Sequence, residues 1–267
     1  MSHSMKLVTN LRSLWRILGG RPRVPESLKE NELLRVILNR RSVRSFTDQE
    51  IPQDVFGAIL EAGRLAPSTV NLQTWAFAAF DAAQWQQTFG RGIPFRGQRA
   101  VIVISDIHRD RQVLDVFPDS PLFQHTVGVM NASLAAMNMN IAAEALGVSS
   151  VMLSETGRSG LLDVNYLKEK LNLPDGAVPL MTIVFGYPRG FYPPMPPKLP
   201  AEQVIFNGRY TPPDPETMES WLNQMVAGYN ASHPGSSFDQ QLKVYQDKIG
   251  QAEAELREAV FGKEKVH

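Results

Sequence analysis

The feature that most constrains the fold is a helical segment whose residues are small or apolar on nearly every side. This segment runs from Thr126 to Leu146, and its small or apolar residues include Val127, Val129, Met130, Leu134, Ala135, Met137, Ile141, Ala142 and Ala145. A helix without a broad polar face must be buried on several sides. In a chain of 267 residues, this indicates that the helix lies partly against a second subunit.

A basic septet, Arg40-Arg41-Ser42-Val43-Arg44-Ser45-Phe46, stands where a helical pattern ends and a loop begins. Its guanidiniums and hydroxyls suit a doubly charged phosphate, because each guanidinium stays ionised and offers a fork of donors. The alternative is a solvated basic helix end, where the helix dipole favours cations in any case. Judged alone, the septet favours the second interpretation.

A second polar segment, residues 66–75, follows the septet after one helix-length of chain. Its small and hydroxylated residues allow a ligand to approach the backbone closely. Asn71 and Gln73 carry amides that both donate and accept hydrogen bonds. This surface suits a flat heterocycle with imide and carbonyl edges, and the two segments together favour the phosphate interpretation of the septet.

These two segments resemble the signatures of the FMN-dependent nitroreductase family, Arg-Arg-Ser-x-Arg-x-Phe and Ala-Pro-Ser-x-x-Asn-x-Gln-Pro-Trp, at this separation. Thr74 stands where the family usually has proline, which we expect to loosen a turn. A third similarity is a helix, then Leu173-Pro174-Asp175-Gly176, then an apolar strand that ends in Gly186-Tyr187-Pro188. The resemblance extends from the helical pattern that precedes the septet to Asn207.

The resemblance implies an α+β protein with a three-layer α-β-α fold, in which a mixed, mostly antiparallel sheet lies between helices. It also implies a homodimer with two FMN sites at the interface. We expect an N-terminal arm over residues 1–25, an FMN-binding domain over residues 26–210 and a C-terminal helical extension over residues 211–267. The basic, helical pattern of the arm also allows a membrane-surface or targeting segment, but an arm packed on the body or on a partner is favoured.

The activity that the resemblance implies is that of an NAD(P)H-dependent FMN oxidoreductase. It would pass hydride from NADH or NADPH to small electrophiles such as nitroaromatics or quinones by a ping-pong mechanism. No protein acid, base or nucleophile is nominated, because the cofactor supplies the hard chemistry. Two alternatives stay open: a dedicated metabolite oxidase or dehalogenase on the same scaffold, and a flavin-binding protein without NAD(P)H turnover.

The match to the family also implies a role for individual residues. The phosphate and ribityl chain are assigned to Arg40, Ser42 and Lys198, with Arg41 assisting. Arg44 is expected near the pyrimidine edge, where a cation stabilises the negative charge that reduction places there, and Asn71 is expected to bond the ring. The remaining contacts are assigned to Pro67, Ser68 and Thr69 from the other subunit, and to Val151, Met152 and Leu153 over one face of the ring.

Composition excludes several other classes of protein. Cysteine is absent, which eliminates disulfides, iron-sulfur clusters, thiolate zinc sites and a cysteine nucleophile. The histidines are scattered without ligand spacing, so a histidine-based metal site is not expected. Lys plus Arg and Asp plus Glu number 27 each, which argues against nucleic acid as a partner. No stretch approaches the roughly 20 apolar residues of a membrane span, and a cytoplasmic location is expected.

Residues 106–124 are interpreted as an irregular, mobile stretch over the active site. A plain surface connection is an equal alternative. The candidate lid contacts are Phe117, Pro118, Pro121, Phe123 and Gln124.

Overall fold

The computed structural model describes residues 25–113, 120–153, 163–233 and 235–262. The predicted N-terminal arm therefore lies outside the described residues apart from Pro25, as do the lid candidates Phe117 and Pro118. Within the described ranges, the helices and strands are α1 (Glu32–Asn39), α2 (Gln53–Arg64), β1 (Trp75–Asp81), α3 (Ala82–Phe89), β2 (Arg99–Asp106), α4 (His108–Arg111), α5 (Pro121–Ala145), β3 (Ser149–Leu153), α6 (Val164–Leu171), β4 (Ala177–Gly186), α7 (Pro215–Ser232) and α8 (Phe238–Phe261).

The described chain divides into two compact units, which are considered separately. One unit holds residues 27–192 together with residues 248–262, and it contains the whole sheet. The other holds residues 25–26 and residues 193–247; the second of these ranges includes the proline-rich segment, α7 and the first part of α8. The expected boundaries after residues 25 and 210 stay a prediction.

The sheet has the strand order β1-β2-β4-β3, and every neighbouring pair of strands is antiparallel. A parallel bridge between Ser42 and Ser150 adds one short piece of chain beyond β3, so the pairing is mixed. The central strands β2 and β4 are buried along almost their whole length, since helices cover both sides of the sheet.

The two sides of the sheet carry separate hydrophobic cores, because side chains alternate along each strand. On one side, Val101 and Val103 of β2 belong to a cluster that includes residues of α2 and α5. On the other side, Ile102 packs in a cluster with Trp85 of α3 and Leu167 of α6. This arrangement confirms the expected three-layer α+β fold.

The long helix α5 lies against the sheet through its smallest residues. Its buried positions include Ala132, Ala135, Ala136 and Ala143, and a Cβ added to Gly63 of α2 would lie 2.7 Å from the Met139 side chain. Small residues therefore bring α2 and α5 close together. As predicted, α5 is buried on several sides.

Among the described residues, no helix is long and apolar enough to cross a membrane.

The interpretation of residues 106–124 as irregular is wrong for the part that the structure describes. A short helix, α4, occupies residues 108–111. Helix α5 begins at Pro121, earlier than the predicted Thr126, so Pro121, Phe123 and Gln124 lie in its first turn. Proline at the first helical position explains this start, because its missing N–H has no partner to lose there.

Candidate active site

The basic septet begins as an extended segment that leaves the end of α1 and runs beside β3. Ser42 pairs with Ser150, and the Val43 N–H donates to the Ser150 carbonyl oxygen at 3.1 Å. Side chains of extended backbone alternate, so Arg40, Ser42 and Arg44 share one side of the segment. Val43 lies on the other side and is buried in the core. Three of the predicted phosphate and ring contacts are thus presented together.

Arg41 lies on the same side as Val43, and its guanidinium turns back onto α1. Its Nη1 donates to the carbonyl oxygens of Leu38 at 2.8 Å and of Arg40 at 2.9 Å. These are carbonyls at the end of α1, where a cation offsets the negative end of the helix dipole. In contrast, the guanidiniums of Arg40 and Arg44 make no hydrogen bond or ion pair with any part of the chain that the structure describes.

Arg189 holds the second half of the septet, and sequence reasoning missed it. Its N–H donates to the Ser45 carbonyl oxygen at 2.9 Å, and its Nε donates to the Phe46 carbonyl oxygen at 3.0 Å. The same guanidinium pairs with Asp48 at 3.2 Å. Behind it, a Cβ added to Gly186 would lie 2.7 Å from the Phe46 ring, so only glycine allows this approach. These contacts therefore fix the backbone on the C-terminal side of Arg44.

The second predicted segment is attached to α5 through one buried amide. Asn131, which is 1% exposed, donates from Nδ2 to the Thr74 hydroxyl at 2.8 Å. Its Oδ1 accepts from the Thr69 N–H at 3.1 Å and lies 3.3 Å from the Thr69 hydroxyl. Thr74 is fully buried, so the expectation that this residue loosens the turn is wrong: its hydroxyl ties the turn to the helix.

The loop between Pro67 and Thr74 carries unusual backbone conformations. Val70, Asn71 and Gln73 have φ values of 44°, 59° and 54°. Asparagine tolerates this left-handed region, but a β-branched residue is strained there by about 1–3 kcal/mol. Val70 is also 80% exposed, so no packing compensates for the strain. Ser68 closes the loop by accepting the Gln73 N–H at 3.0 Å, and Pro67 is exposed beside it.

Of the three predicted contacts on β3, one presents its side chain outward. Val151 and Leu153 are buried in the core on the side of α3 and α6. Met152, between them, is 36% exposed. The Val151 and Leu153 side chains thus cannot cover a ligand, and they leave this role to Met152 and to the backbone of this edge strand.

Within one chain, the two predicted halves of the site lie far apart. β1 and β3 are opposite edges of the sheet, three inter-strand steps apart, which corresponds to about 14 Å. The loop is anchored at Asn131, whereas the Ser150 hydroxyl beside the septet donates to Asn140 at 2.6 Å. These anchors are nine residues apart on α5, about 14 Å along the helix. The structure thus places Arg40, Ser42 and Arg44 beside β3, the strand that carries Met152, and it places Pro67, Ser68, Thr69 and Asn71 in a separate loop.

Lys198 lies in the other compact unit, where it is exposed in the proline-rich segment. It follows Pro196 and Pro197, so it is the cation that this segment offers. Its role in holding the phosphate stays a prediction.

The chemistry of these groups suits an anionic ligand with a flat polar ring. Arg40 and Arg44 supply two cations that lack a partner among the described residues, about 13 Å apart along extended chain, with the Ser42 hydroxyl between them. No cluster of three or more His, Cys, Asp or Glu side chains that would hold a metal ion exists within the described ranges. The donor set therefore fits a phosphorylated heterocycle such as FMN better than a metal.

Two of the residues that sequence reasoning missed carry a recognisable signal. Asn131 and Asn140 are amides on a helix whose buried residues are mostly small or apolar, and both are 1% exposed. Buried amides need hydrogen-bond partners, so their presence on such a helix marks points where other segments attach. Arg189 carries no comparable local signal, because its partners lie more than 140 residues earlier in the chain.

Comparisons with known proteins agree on one family. The model of the family described as "Nitroreductase family" matches residues 37–187. The oxygen-insensitive NADPH nitroreductase of Salmonella typhimurium is 26% identical over 204 residues, which cover 73% of this chain and 82% of that protein. An FMN reductase [NAD(P)H] of Bacillus subtilis is 27% identical over 229 residues, covering 82% of this chain and 84% of that protein.

A solved structure has the same fold. The NADPH:FMN oxidoreductase from Vibrio harveyi complexed with NAD+ superposes with a TM-score of 0.64 at 21% identity, and the match covers 82% of this chain and 98% of that one. At this identity the likeness concerns the fold alone.

Proposed function

Because this chain belongs to the nitroreductase family, we propose that it is an FMN-dependent oxidoreductase that uses NADH or NADPH to reduce small electrophiles such as nitroaromatics or quinones. The observation that carries the proposal is the shared side of the septet. There, Ser42 lies between Arg40 and Arg44, two cations that the described residues leave without a partner. The names of the Bacillus and Salmonella relatives support the cofactor and the electron donor.

In this proposal the septet binds the charged end of the cofactor. Arg40 and Ser42 hold the phosphate and ribityl chain together with Lys198. Arg41 assists indirectly, because its guanidinium is committed to the carbonyls that end α1. Arg44, which is exposed in the single chain, would lie near the pyrimidine edge and stabilise the negative charge that reduction places there.

The ring contacts come from the loop and from β3. Asn71 hydrogen-bonds the ring, and Pro67, Ser68 and Thr69 touch it from the other subunit. Met152 covers one face with its side chain, while Val151 and Leu153 contribute backbone groups only, since their side chains are buried in the core. When bound, FMN would supply the redox chemistry. These residues would hold it where the nicotinamide and the acceptor bind in turn, as a ping-pong mechanism requires.

We further propose that two copies form each site as a homodimer. Each chain holds its two halves at opposite edges of one sheet, so a single chain does not close both around one ring. Along the part of α5 that carries the two anchors, the apolar residues Met130, Leu134 and Met137 are 58%, 46% and 37% exposed. At spacings of four and three residues they form one stripe of the helix. A second copy packed on this stripe would bury it and stand beside both halves.

Steady-state kinetics on a panel of acceptors tests the function. Nitroaromatics, quinones and enones are assayed with NADH and with NADPH, varying both substrates. We expect turnover with several acceptors and parallel double-reciprocal lines. Converging lines would contradict the ping-pong cycle. Turnover confined to a single metabolite would favour a dedicated oxidase or dehalogenase, and a yellow protein without turnover would favour a flavin-binding protein.

A further inference from the structure

Tyr192 connects the septet to the end of α5. The Arg41 backbone N–H donates to the Tyr192 hydroxyl at 3.0 Å. The same hydroxyl lies 2.7 Å and 2.9 Å from the two carboxylate oxygens of Glu144, to which it donates. One phenol thus joins the second residue of the septet to a carboxylate in the last turn of α5.

These contacts fix the backbone on both sides of Ser42. Arg41 is held by the phenol on one side of Ser42, and the Val43 N–H is held by the Ser150 carbonyl oxygen on the other. A short segment held at both ends keeps its side chains in place without further ordering when a ligand binds. The position of the Ser42 hydroxyl therefore depends on Tyr192.

Glu144 also places a negative charge close to the expected phosphate site. Its carboxylate lies at the negative end of the α5 dipole and within two hydrogen bonds of the Arg41 N–H, so it disfavours a nearby phosphate. The phenol pairs with this carboxylate and holds it in one orientation. Burial, followed by the bond to Glu144, raises the pKa of Tyr192 to about 12, so the hydroxyl keeps its proton and remains a donor at any ordinary working pH.

We propose that Tyr192 and Glu144 are positioning residues that set the preference of this site for a phosphorylated flavin over an unphosphorylated one. They act through the Arg41 backbone and do not touch the ring. The inference rests on the proposed function, because it takes the shared side of the septet as the phosphate site. It adds a determinant of ligand choice that lies outside both sequence signatures.

The test compares the affinities of the full chain for FMN and for riboflavin, both measured by quenching of flavin fluorescence. In Tyr192→Phe we expect the Kd for FMN to rise about threefold to tenfold, the loss expected for one to two hydrogen bonds. The Kd for riboflavin should change less than about twofold, because riboflavin has no phosphate to position. Tyr210→Phe, which removes an exposed phenol in the other unit, is the matched control and should change neither Kd.

Glu144 gives a second arm that does not depend on the folding of Tyr192→Phe. Glu144→Gln keeps an oxygen that accepts from the phenol, so the affinity for FMN should stay within about threefold of the wild type. Glu144→Ala removes the acceptor but also a negative charge that disfavours phosphate, so it should raise the Kd for FMN by less than Tyr192→Phe does and leave the Kd for riboflavin unchanged. Equal changes for FMN and riboflavin, or none, would overturn this inference but leave the proposed function intact. A wild-type chain that binds neither flavin would overturn both.

Discussion

Replacing Asn131 by alanine should release the predicted ring-binding loop from α5. The Asn131 amide makes three contacts. It donates to the Thr74 hydroxyl at 2.8 Å, accepts from the Thr69 N–H at 3.1 Å and lies 3.3 Å from the Thr69 hydroxyl. The loop also contains Val70 in a strained conformation, with a φ of 44°. Without its attachment to α5, the loop is expected to relax away from this conformation.

The cost to stability follows from the burial of the partners. Thr74 is fully buried, so its hydroxyl is left without a partner, which costs about 1–3 kcal/mol. The bonds to Thr69 are more exposed and add about 1 kcal/mol. We therefore expect the free energy of unfolding to fall by about 2–4 kcal/mol, which lowers Tm by roughly 5–12 °C in a domain of this size. Because the loop must then be ordered by the ligand, the Kd for FMN should rise at least about tenfold.

The assay is urea unfolding together with FMN titration of the same preparations. Asn138→Ala is the matched control: it removes a single bond, from Nδ2 to the Ala62 carbonyl oxygen at 3.1 Å, on the same helix but away from the loop. It should cost about 1 kcal/mol and leave the Kd for FMN unchanged. The double variant Asn131→Leu with Thr74→Val replaces both buried partners, so it should recover most of the stability while the affinity stays low. An Asn131→Ala protein with wild-type stability and FMN affinity would refute the reasoning.

Four further predictions concern single residues. Val70→Asn should stabilise the protein by about 1 kcal/mol in urea unfolding, because asparagine tolerates a positive φ; a loss of stability would argue against strain at this position. The pKa of Tyr192 is raised to about 12, so the folded state holds this proton more tightly than the unfolded state does. The stability of the wild type should therefore fall relative to that of Tyr192→Phe as the pH rises above about 10. Parallel profiles of stability against pH would contradict this. Leu134→Cys, in a chain that has no other cysteine, should give a dimer with a short bis-maleimide, whereas Gln86→Cys on the other side of the sheet should not; equal yields would disprove the interface. Arg44→Ala should lower FMN affinity or flavin reduction potential, with Arg35→Ala as the exposed control, and unchanged values for both would exclude its role.

Sequence patterns predicted those parts of the fold that depend on residues close together in the chain. The apolar strand expected to end at Gly186 is β4, and the helical segment expected from Thr126 to Leu146 lies within α5, because a buried strand or helix is recognisable from its own composition. Helix α3 was missed, although Asp81 and Gln84 form a capping box at its start. This signal was available, because the two side chains lie three residues apart in the sequence.

The site was less accessible to sequence reasoning because the direction of a side chain depends on distant packing. The septet motif does not distinguish Arg41 from Arg40 and Arg44. In the structure, the hydrogen bonds of the Arg41 guanidinium to the Leu38 and Arg40 carbonyl oxygens make this distinction. In the same way, the burial of Val151 follows from the core formed with α3 and α6 rather than from its neighbours in the chain.

The most direct test of the account is the absorption spectrum of the purified full chain before and after NADPH is added without oxygen. If the septet and the loop hold FMN, the protein should show the visible bands of bound flavin, and these should bleach on addition of NADPH. A colourless protein that takes up no added FMN would contradict the central claim.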